Sequence, residues 1–434
     1  MLGSFIKSLF LDKAIVDDRE PIFTFHLGGH GGKDNGGDDD DTTITQFGLF
    51  LPRKSPWIQL AVFVLIQSIV QQLFAVVIYF GIVRNRGTVQ SYLLGWGFII
   101  PISIYMPFLF LDYFDIRNKV LALSASTIMT VIGFRCVEAM YGATLTLNNS
   151  EVIESTVGTY CAYYSSVAPF VWTSKGRQRI TFRRLVSIIV ELGLYFIAVS
   201  AVLSMMIHFR YKPFVGDEVG LTSLTFNTSN FSLPHLGNSY CQAILVYLTL
   251  KTGFELTALA ENIKGYETDT IFDSPFTKST SPTDFWTRRW NLMIQRILKG
   301  GVFLPIKKHR NAKVAMFMTF VVSGLYHEYV WECIFYNQNY VHDSHGNCYE
   351  PGCYANEFGR VTAFFTYVGL IMLLERPVGK LPPVRWLAKS CPAPVVAHSL
   401  ILLHLPVGQW YIGDWLEGGY FDDFSICTLL IRKM

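Results

Sequence analysis

Long apolar stretches alternate with short polar ones along this chain. A helix needs about 20 mostly apolar residues to cross the hydrocarbon core of a bilayer. Eight stretches fit this pattern, at residues 57–83, 92–111, 120–142, 185–209, 240–260, 314–336, 358–375 and 392–412. The pattern predicts an all-α fold, a polytopic transmembrane helical bundle of about eight spans.

Two of these stretches carry residues that are unusual in a span. The second contains Pro101 and Pro107, which predict a kink because proline removes a helical hydrogen bond. The third contains Arg135 and Glu138, and ionisable groups are costly inside a membrane. A further apolar piece, residues 160–172, is too short to span, so we expect it to be re-entrant or interfacial.

Composition supports a lipid environment. Hydrophobic residues make up 51% of the 434 residues and charged residues only 16%, whereas soluble domains carry about 25% charged residues. The 34 Phe, 22 Tyr and 9 Trp residues suit two aromatic belts at membrane surfaces. The net charge of +3 and the lack of any recognised motif argue against nucleic acid as a partner.

Basic residues predict the orientation of the chain. Lys and Arg concentrate in three loops, at 143–184, 261–313 and 376–391. Two predicted spans separate each of these loops from the next, so all three lie on one side. Because loops rich in Lys and Arg favour the cytoplasmic side, we place them in the cytosol.

The intervening loops have the opposite character. Loop 337–357 has no Lys or Arg, and loop 210–239 has only two such residues. The second loop also contains glycosylation sequons at Asn227 and Asn230, which can accept glycans only on a lumenal face. The sequon at Asn148 falls on the cytosolic side and is predicted to be unused.

The termini divide the chain into three regions. Residues 1–56 form an N-terminal region, residues 57–415 the membrane-embedded domain, and residues 416–434 a short C-terminal tail. Residues 1–16 lack a cleavage site, so we expect a surface-lying amphipathic helix and no signal peptide. Residues 28–41 are rich in Gly and Asp and are predicted to be disordered.

A lumenal loop holds residues of two chemistries. It reads HDSHGNCYEPGC and contains His342, His345, Cys348 and Cys353. These ligand types suit zinc, but the spacing matches no zinc motif. A disulfide between the two cysteines is the favoured interpretation, because the lumen is oxidising.

His327 is the most informative ionisable residue within a span. It lies in FVVSGLYHEYVWECIF, with apolar residues before and after it. It can be a structural histidine that bonds two helices, a proton or cation site of a transporter, or a general base in a buried reaction chamber. This segment alone leaves all three open.

The segment before this span, residues 281–310, alternates aromatic and basic residues. Its tryptophans include Trp286 and Trp290, and its arginines include Arg288, Arg289 and Arg296. One interpretation is an interfacial helix anchored against anionic lipid. The other is an entry site for acyl-CoA, whose anionic nucleotide suits bidentate arginine and whose tail is apolar.

These two motifs together resemble a known family. The string DFWTRRWN at 284–291, followed by the His327 span, is similar to the membrane-bound O-acyltransferases, above all the wax synthase branch with its string DFWGRRWN. Thr287 stands where that branch has Gly. The string SGLYHE at 323–328 is also similar to that branch, and the triplet at 327–329 is similar to the sterol and diacylglycerol acyltransferases. The likeness covers about 240–415.

The resemblance implies an activity and a set of site residues. It implies a catalytic site formed by His327, Asn291 and, at a position similar to the diacylglycerol branch, Gln409. It implies acyl-CoA binding by Trp286, Arg288, Arg289, Trp290 and Arg296. The expected substrates are acyl-CoA and a lipid alcohol, without a metal or cofactor. The expected location is the endoplasmic reticulum membrane, where contact with membrane lipids and a homo-oligomer are both compatible with the class.

The acceptor alcohol stays open at this point. A long-chain fatty alcohol would give a wax ester and is favoured by the branch that the motifs resemble, whereas diacylglycerol and a sterol are the alternatives. From another class, a proton-coupled secondary transporter would use His327, Glu328 and Glu138 as ion sites. Such a transporter is expected to show internal repeats, and each of the two motifs occurs once.

Overall fold

A computed structural model describes residues 19–28, 44–143, 150–166, 168–339, 354 and 356–433. The long helices are α1 (Lys54–Val83), α2 (Val89–Tyr113), α3 (Lys119–Tyr141), α6 (Phe182–His208), α7 (Leu233–Ile263), α12 (Ala312–Asn339) and α13 (Arg360–Val378). The shorter helices are α4 (Ser150–Glu154), α5 (Val157–Tyr164), α8 (Pro275–Lys278), α9 (Pro282–Asp284), α10 (Leu292–Leu298), α11 (Leu304–His309), α14 (Pro382–Ser390), α15 (Ala393–His404), α16 (Gln409–Glu417) and α17 (Tyr420–Ile426). The strands are β1 (Phe23–Gly28), β2 (Ile44–Phe50), β3 (Trp172–Thr173), β4 (Gly176–Arg177) and β5 (Leu430–Lys433).

The helices have the lengths and compositions of membrane spans. Among the described residues, six helices (α1, α2, α3, α6, α7 and α13) are long and apolar enough to cross a bilayer, and the pair α15–α16, bent by 66°, makes a seventh if it counts as one span. Helix α12 is 28 residues long but less apolar, because it carries His327, Glu328 and Glu332. The chain is an integral membrane protein, and the prediction of an α-helical bundle is confirmed.

A small sheet that the sequence did not predict indicates whether the number of membrane crossings is even or odd. Strand β2 pairs antiparallel with β1 on one side and with β5 on the other. The Arg53 N–H also donates to the Ile426 carbonyl over 2.9 Å. Because β2 precedes the first span and β5 follows the last, both lie on one side of the membrane, and the number of crossings is even. If α12 and the bent pair are each counted as one crossing, the helices in the described part of the chain give eight.

Apolar side chains divide into those that face lipid and those that face the core. Leu65 and Leu73 on α1 and Leu194 on α6 are each 63% exposed, as expected of helices at the edge of a bundle in lipid. The core contains fully buried Trp331 of α12 and Val361 of α13, with partners on the neighbouring helices. Helix α12 therefore lies inside the bundle, where its polar residues avoid lipid.

The second span deviates from an α-helix before its first proline. Residues Gly95–Ile99 form a π-helical stretch that ends two residues before Pro101. Pro101 has no N–H to donate to the preceding turn, and a π-helical turn is one way to accommodate that loss. The sequence predicted a kink at the prolines, and the structure shows a π-helical stretch just upstream of the first of them.

The structure also bears on two expectations outside the spans, for the glycosylation sequons and for the C-terminal region. Asn227 is exposed, but Asn230 is fully buried and its side-chain amide donates to the Pro406 carbonyl over 2.9 Å. A glycan on Asn230 would not fit this packing, so Asn227 is the accessible sequon of the two in the folded chain. Phe421, in the region expected as a tail, is fully buried, so residues 420–426 are part of the packed structure.

Other expectations fall outside the described residues. They include the N-terminal amphipathic helix, most of the Gly- and Asp-rich segment, the sequon at Asn148, and the loop with His342, His345, Cys348 and Cys353. The disulfide and the zinc site at that loop remain predictions. Residues 160–172 contribute to the short helix α5 and to β3.

Candidate active site

A cavity of about 1080 Å³ runs through the bundle between its two membrane faces. Arg288, Lys313 and Arg376 line it at the predicted cytosolic end, and Asn118 and Cys427 line it at the other end. Between these ends its wall consists mainly of apolar and aromatic side chains from α3, α7, α12 and the α15–α16 pair. A long apolar chain attached to an anionic group would match this distribution of charge and hydrocarbon.

His327 lines this cavity near the middle of α12. At 1.5 Å per residue it lies about 22 Å from the cytosolic start of the helix. Its Nδ1 is 2.6 Å from the Ser323 carbonyl oxygen. A carbonyl only accepts, so Nδ1 must carry the proton in the neutral ring, and Nε2 keeps a free lone pair. Among the described residues Nε2 has no hydrogen-bond partner. A general base needs such an unoccupied lone pair to accept a proton from its substrate.

Aromatic rings hold the imidazole in place. The His327 ring stacks on Phe365, with ring centroids 4.4 Å apart and planes at 22°. Trp331 and Tyr411 contact it edge-on, at 6.0 and 5.8 Å. Together with the bond to the Ser323 carbonyl, these contacts restrict both torsions of the side chain, so the direction of Nε2 is preorganised.

The segment that carries the DFWTRRWN string brings a second polar group to the same cavity. It consists of α9, a π-helical turn (Phe285–Arg289) and then Asn291, which starts α10. Asn291 has a left-handed backbone with φ of 41°, a conformation that asparagine tolerates better than most residues. Its Oδ1 accepts the Ile294 N–H over 3.3 Å. Its side-chain NH₂ has no partner among the described residues, and the residue lines the cavity.

Two glycines let the segment that follows α10 approach α3 closely. A Cβ at Gly300 would lie 2.7 Å from Glu138 Oε2, and a Cβ at Gly301 would lie 2.8 Å from the Phe134 carbonyl oxygen. The second contact is with backbone, which cannot move aside easily. Glycine at these positions therefore allows the segment with Asn291 to pack against the bundle.

The predicted acyl-CoA-binding residues divide into two groups. Trp286, Arg288 and Trp290 line the cavity, whereas Arg289 and Arg296 are absent from its wall. Arg289 bonds Asp273 and Asp284, each over 2.8 Å. Arg296 forms an ion pair with Asp269 and lines a separate polar pocket of about 310 Å³. We therefore remove Arg289 and Arg296 from the expected acyl-CoA site, because their charges are already neutralised.

The contacts of Arg289 stabilise the motif itself. Burial raises the pKa of the Asp284 carboxyl, but hydrogen bonds from Arg289 and Thr280 outweigh burial and bring its pKa below the ordinary value. The carboxylate thus stays ionised at neutral pH and keeps its pair with Arg289. The first residue of the DFWTRRWN string and its second arginine are a structural clamp.

Three further basic residues join Arg288 at the cytosolic mouth. They are Lys299, Lys313 and Arg376, which line the cavity and are exposed. None of the four forms an ion pair with another residue in the described part of the chain. Lys299 belongs to the segment in which the sequence placed a candidate acyl-CoA entry site, whereas Lys313 and Arg376 were counted only as cytosolic charges. The fold brings the three together at the mouth.

Gln409 does not take part in this arrangement. It is 2% exposed, is absent from the cavity wall, and its side-chain amide lies 3.4 Å from the Ser223 carbonyl oxygen, to which it donates. Its neighbours Gly408 and Tyr411 line the cavity instead. The side chain therefore points toward the loop before α7, and we remove Gln409 from the catalytic set.

The carboxylates of the transporter hypothesis have other roles. Glu328 is 1% exposed, and its Oε1 accepts the Thr362 N–H over 2.8 Å, which satisfies a free donor in the first turn of α13. Glu138 accepts from the Tyr163 hydroxyl over 2.6 Å and lines the small polar pocket. Neither carboxylate lines the cavity with His327, so the three residues do not form one ion path.

Sequence reasoning missed a second histidine in the cavity wall. His404 lies at the end of α15, lines the cavity, and contacts Trp286. The signal was available, since an imidazole within a predicted span is unusual. The neighbouring glutamine was chosen instead because of its resemblance to one branch of the family.

The fold and the cavity define a class: a polytopic membrane protein with a histidine that faces an apolar chamber with a basic mouth. Comparison with known proteins agrees. Residues 268–341, which include both motifs, match the model of the membrane bound O-acyl transferase family. The match confirms the predicted resemblance to the membrane-bound O-acyltransferases over this segment.

Several proteins of Arabidopsis thaliana are similar to this chain. The chain is 37% identical over 82 residues to "Probable long-chain-alcohol O-fatty-acyltransferase 2", which covers 17% of this chain and 24% of the relative. It is 33% identical over 196 residues to "Probable long-chain-alcohol O-fatty-acyltransferase 3", covering 43% and 51%. It is also 36% identical over 97 residues to "Acyl-CoA--sterol O-acyltransferase 1", covering 20% and 28%. The matches thus span about half or less of each relative's length.

Proposed function

We propose that the protein transfers the acyl group of acyl-CoA to the hydroxyl of a long-chain fatty alcohol and so forms a wax ester. The observation that carries this proposal is the unbonded Nε2 of His327 inside an apolar cavity with unpaired cations at its cytosolic mouth. The cations suit the nucleotide of acyl-CoA and the apolar wall suits its tail. Two of the relatives above are named for long-chain alcohols, which favours that acceptor.

The proposed reaction needs one proton acceptor and no acyl-enzyme. His327 Nε2 removes the proton of the alcohol as its oxygen attacks the thioester carbonyl carbon. The C–S bond then breaks, and the thiolate of CoA takes the proton back from the imidazolium. In this proposal the Asn291 amide donates to the oxyanion that forms in between. Exclusion of water protects the thioester from hydrolysis, the competing reaction.

The decisive experiment is an assay of the acceptor. Membranes that contain the protein are incubated with labelled acyl-CoA and, separately, a long-chain alcohol, a diacylglycerol and a sterol, and the products are separated by lipid class. Wax ester as the main product is the expected result. Steryl ester would point to the activity named for one of the relatives, and no ester with any acceptor would refute an acyltransferase.

The two neighbouring arginines of the motif should respond differently to replacement. Arg288→Ala is expected to raise KM for acyl-CoA about tenfold, the size of one charge-assisted hydrogen bond, with little loss of thermal stability. Arg289→Ala should lower the melting temperature, because it leaves Asp284 buried without its partner. Steady-state kinetics and thermal unfolding in detergent measure the two effects.

Lys389→Ala is the matched control for these arginines. Lys389 is exposed on α14, on the same predicted face of the membrane, and does not line the cavity. Its replacement should change neither quantity. An unchanged KM in Arg288→Ala would mean that this arginine only contacts lipid or solvent.

The amide of Asn291 can be tested without loss of its structural role. Asn291→Asp keeps a side-chain oxygen for the Ile294 N–H and tolerates the left-handed backbone, but it replaces the NH₂ donor by an acceptor. We expect kcat to fall about 10² to 10³-fold, as when an oxyanion donor is removed, while the melting temperature changes little. Asn291→Gly, which keeps only the backbone freedom, gives the comparison, and full activity in Asn291→Asp would exclude the amide from the chemistry.

Two finer aspects belong to the same proposal. The proposed location is the endoplasmic reticulum membrane, with the basic mouth of the cavity facing the cytosolic acyl-CoA pool. Assembly into a homo-oligomer stays a prediction from the sequence, and cross-linking in native membranes tests it.

A further inference from the structure

Two histidines of the cavity wall share one geometry but differ in what they face. Nδ1 of His404 lies 2.7 Å from the Leu400 carbonyl oxygen, four residues earlier, as Nδ1 of His327 does from the Ser323 carbonyl. In both rings Nδ1 therefore carries the proton and Nε2 is the acceptor. The Nε2 of His327 has no partner in the described part of the chain, but the Nε2 of His404 accepts the indole N–H of Trp286 over 3.4 Å.

Trp286 connects His404 to the catalytic imidazole. Its indole contacts the Phe365 ring at a centroid distance of 6.3 Å, and Phe365 stacks on His327 at 4.4 Å. Trp286 also contacts Phe364 and Phe320, so it occupies the centre of the aromatic wall. An indole that rotated away would remove the support behind Phe365 and free the His327 ring to change its direction.

Trp286 also belongs to the segment that approaches the donor. It lies in the π-helical turn (Phe285–Arg289), two residues before Arg288 at the mouth and five before Asn291 in the cavity. A fixed indole therefore fixes one end of the basic mouth relative to the histidine. The Trp286–His404 hydrogen bond joins this segment to α15, across the cavity wall.

From this geometry we propose that His404 is a positioning residue, which holds Trp286 through its Nε2. The fixed indole supports Phe365 and so keeps the His327 ring directed at the thioester. This inference rests on the proposed acyltransferase function. His404 does not take the substrate proton, because its lone pair is already used by the indole N–H. Its loss should therefore reduce turnover and leave the affinity for acyl-CoA nearly unchanged.

A double-mutant cycle tests the pair by kinetics. His404→Ala and Trp286→Phe are each expected to lower kcat about fivefold to tenfold, the range for one hydrogen bond. In His404→Ala, KM for acyl-CoA should stay within about twofold of wild type. The double variant should lose no more than either single variant, because both remove the same interaction. His404→Gln, whose Oε1 can accept the indole N–H, should recover most of kcat. Effects that multiply, or full activity in Trp286→Phe, would overturn the proposal.

Fluorine NMR on protein labelled with 5-fluorotryptophan gives a readout that does not depend on activity. Trp286→Phe identifies the Trp286 resonance by its absence. That resonance should shift or broaden in His404→Ala and return toward its wild-type position in His404→Gln. His398→Ala is the control, since His398 bonds the Pro394 carbonyl in the same way over 2.7 Å but does not line the cavity. An unmoved resonance in His404→Ala would refute the contact, whereas an inactive wild type would refute only the proposed function.

Discussion

Replacement of His327 by alanine is expected to reduce kcat/KM for ester synthesis by about 10² to 10⁴-fold, the contribution of a well-placed general base. In the neutral ring the proton lies on Nδ1, which the Ser323 carbonyl fixes, so the free Nε2 faces the cavity. No other described imidazole can take over, because the Nε2 of His404 already accepts from Trp286. Rates with labelled acyl-CoA, normalised to the amount of protein in the membrane, measure the effect.

The same experiment separates chemistry from folding and binding. His398→Ala removes an imidazole that makes the same bond to a helical carbonyl away from the cavity, and it should keep wild-type activity. Binding of an unreactive acyl-CoA thioether to His327→Ala should also stay at the wild-type level. Activity in His327→Ala that equals the His398→Ala control would end its assignment as the base.

The site residues that the sequence predicted correctly were found from signals that do not involve the direction of a side chain. The spans follow from the length of apolar runs, and His327 was conspicuous because an ionisable residue inside such a run is rare. Asn291 and Trp286 followed from the likeness of one short string to a family. The structure places these three residues on one cavity.

Side-chain direction could not be inferred from the same string. Arg288 and Arg289 are adjacent and chemically equal, yet one faces the mouth and the other pairs with Asp273 and Asp284. The turn that separates their directions is π-helical, which a regular helical periodicity does not describe. Gln409 failed for a similar reason, since its neighbours face the cavity while it faces a loop.

Contacts between distant parts of the chain were also out of reach. The sheet joins β2 near the start to β5 near the end, and strands of four to seven residues give little local signal. The basic mouth likewise draws Lys313 and Arg376 from different helices. Such pairings are set by how the helices pack, and helix packing depends on the whole set of apolar faces.

The buried pair of Arg360 and Asp414 is another such contact, and its loss should produce the largest change in stability. Both side chains are 2% exposed and lie 2.8 Å apart, at the start of α13 and within α16. Arg360 also donates to the Thr222 carbonyl over 2.6 Å, and the Tyr354 hydroxyl donates to Asp414. Removal of Arg360 leaves the Asp414 carboxylate buried without its cation, and removal of Asp414 leaves Arg360 only the more distant Glu357 carboxylate, at 3.8 Å. Breaking a buried pair costs about 3–5 kcal/mol. Thermal unfolding in detergent should therefore show a strongly lowered melting temperature for Arg360→Ala and for Asp414→Ala.

An exposed pair gives the matched control for this prediction. Arg117 and Asp115 lie 3.3 Å apart with side chains 58% and 48% exposed, and Arg117→Ala should change stability by less than about 1 kcal/mol. The double variant Arg360→Met, Asp414→Leu removes both charges and should recover much of the loss, because no buried charge is left alone. Equal stability of Arg360→Ala and Arg117→Ala would contradict this prediction. It would mean that water reaches the Asp414 carboxylate, so that the contact between α13, α16 and the loop before α7 is hydrated and not tightly packed.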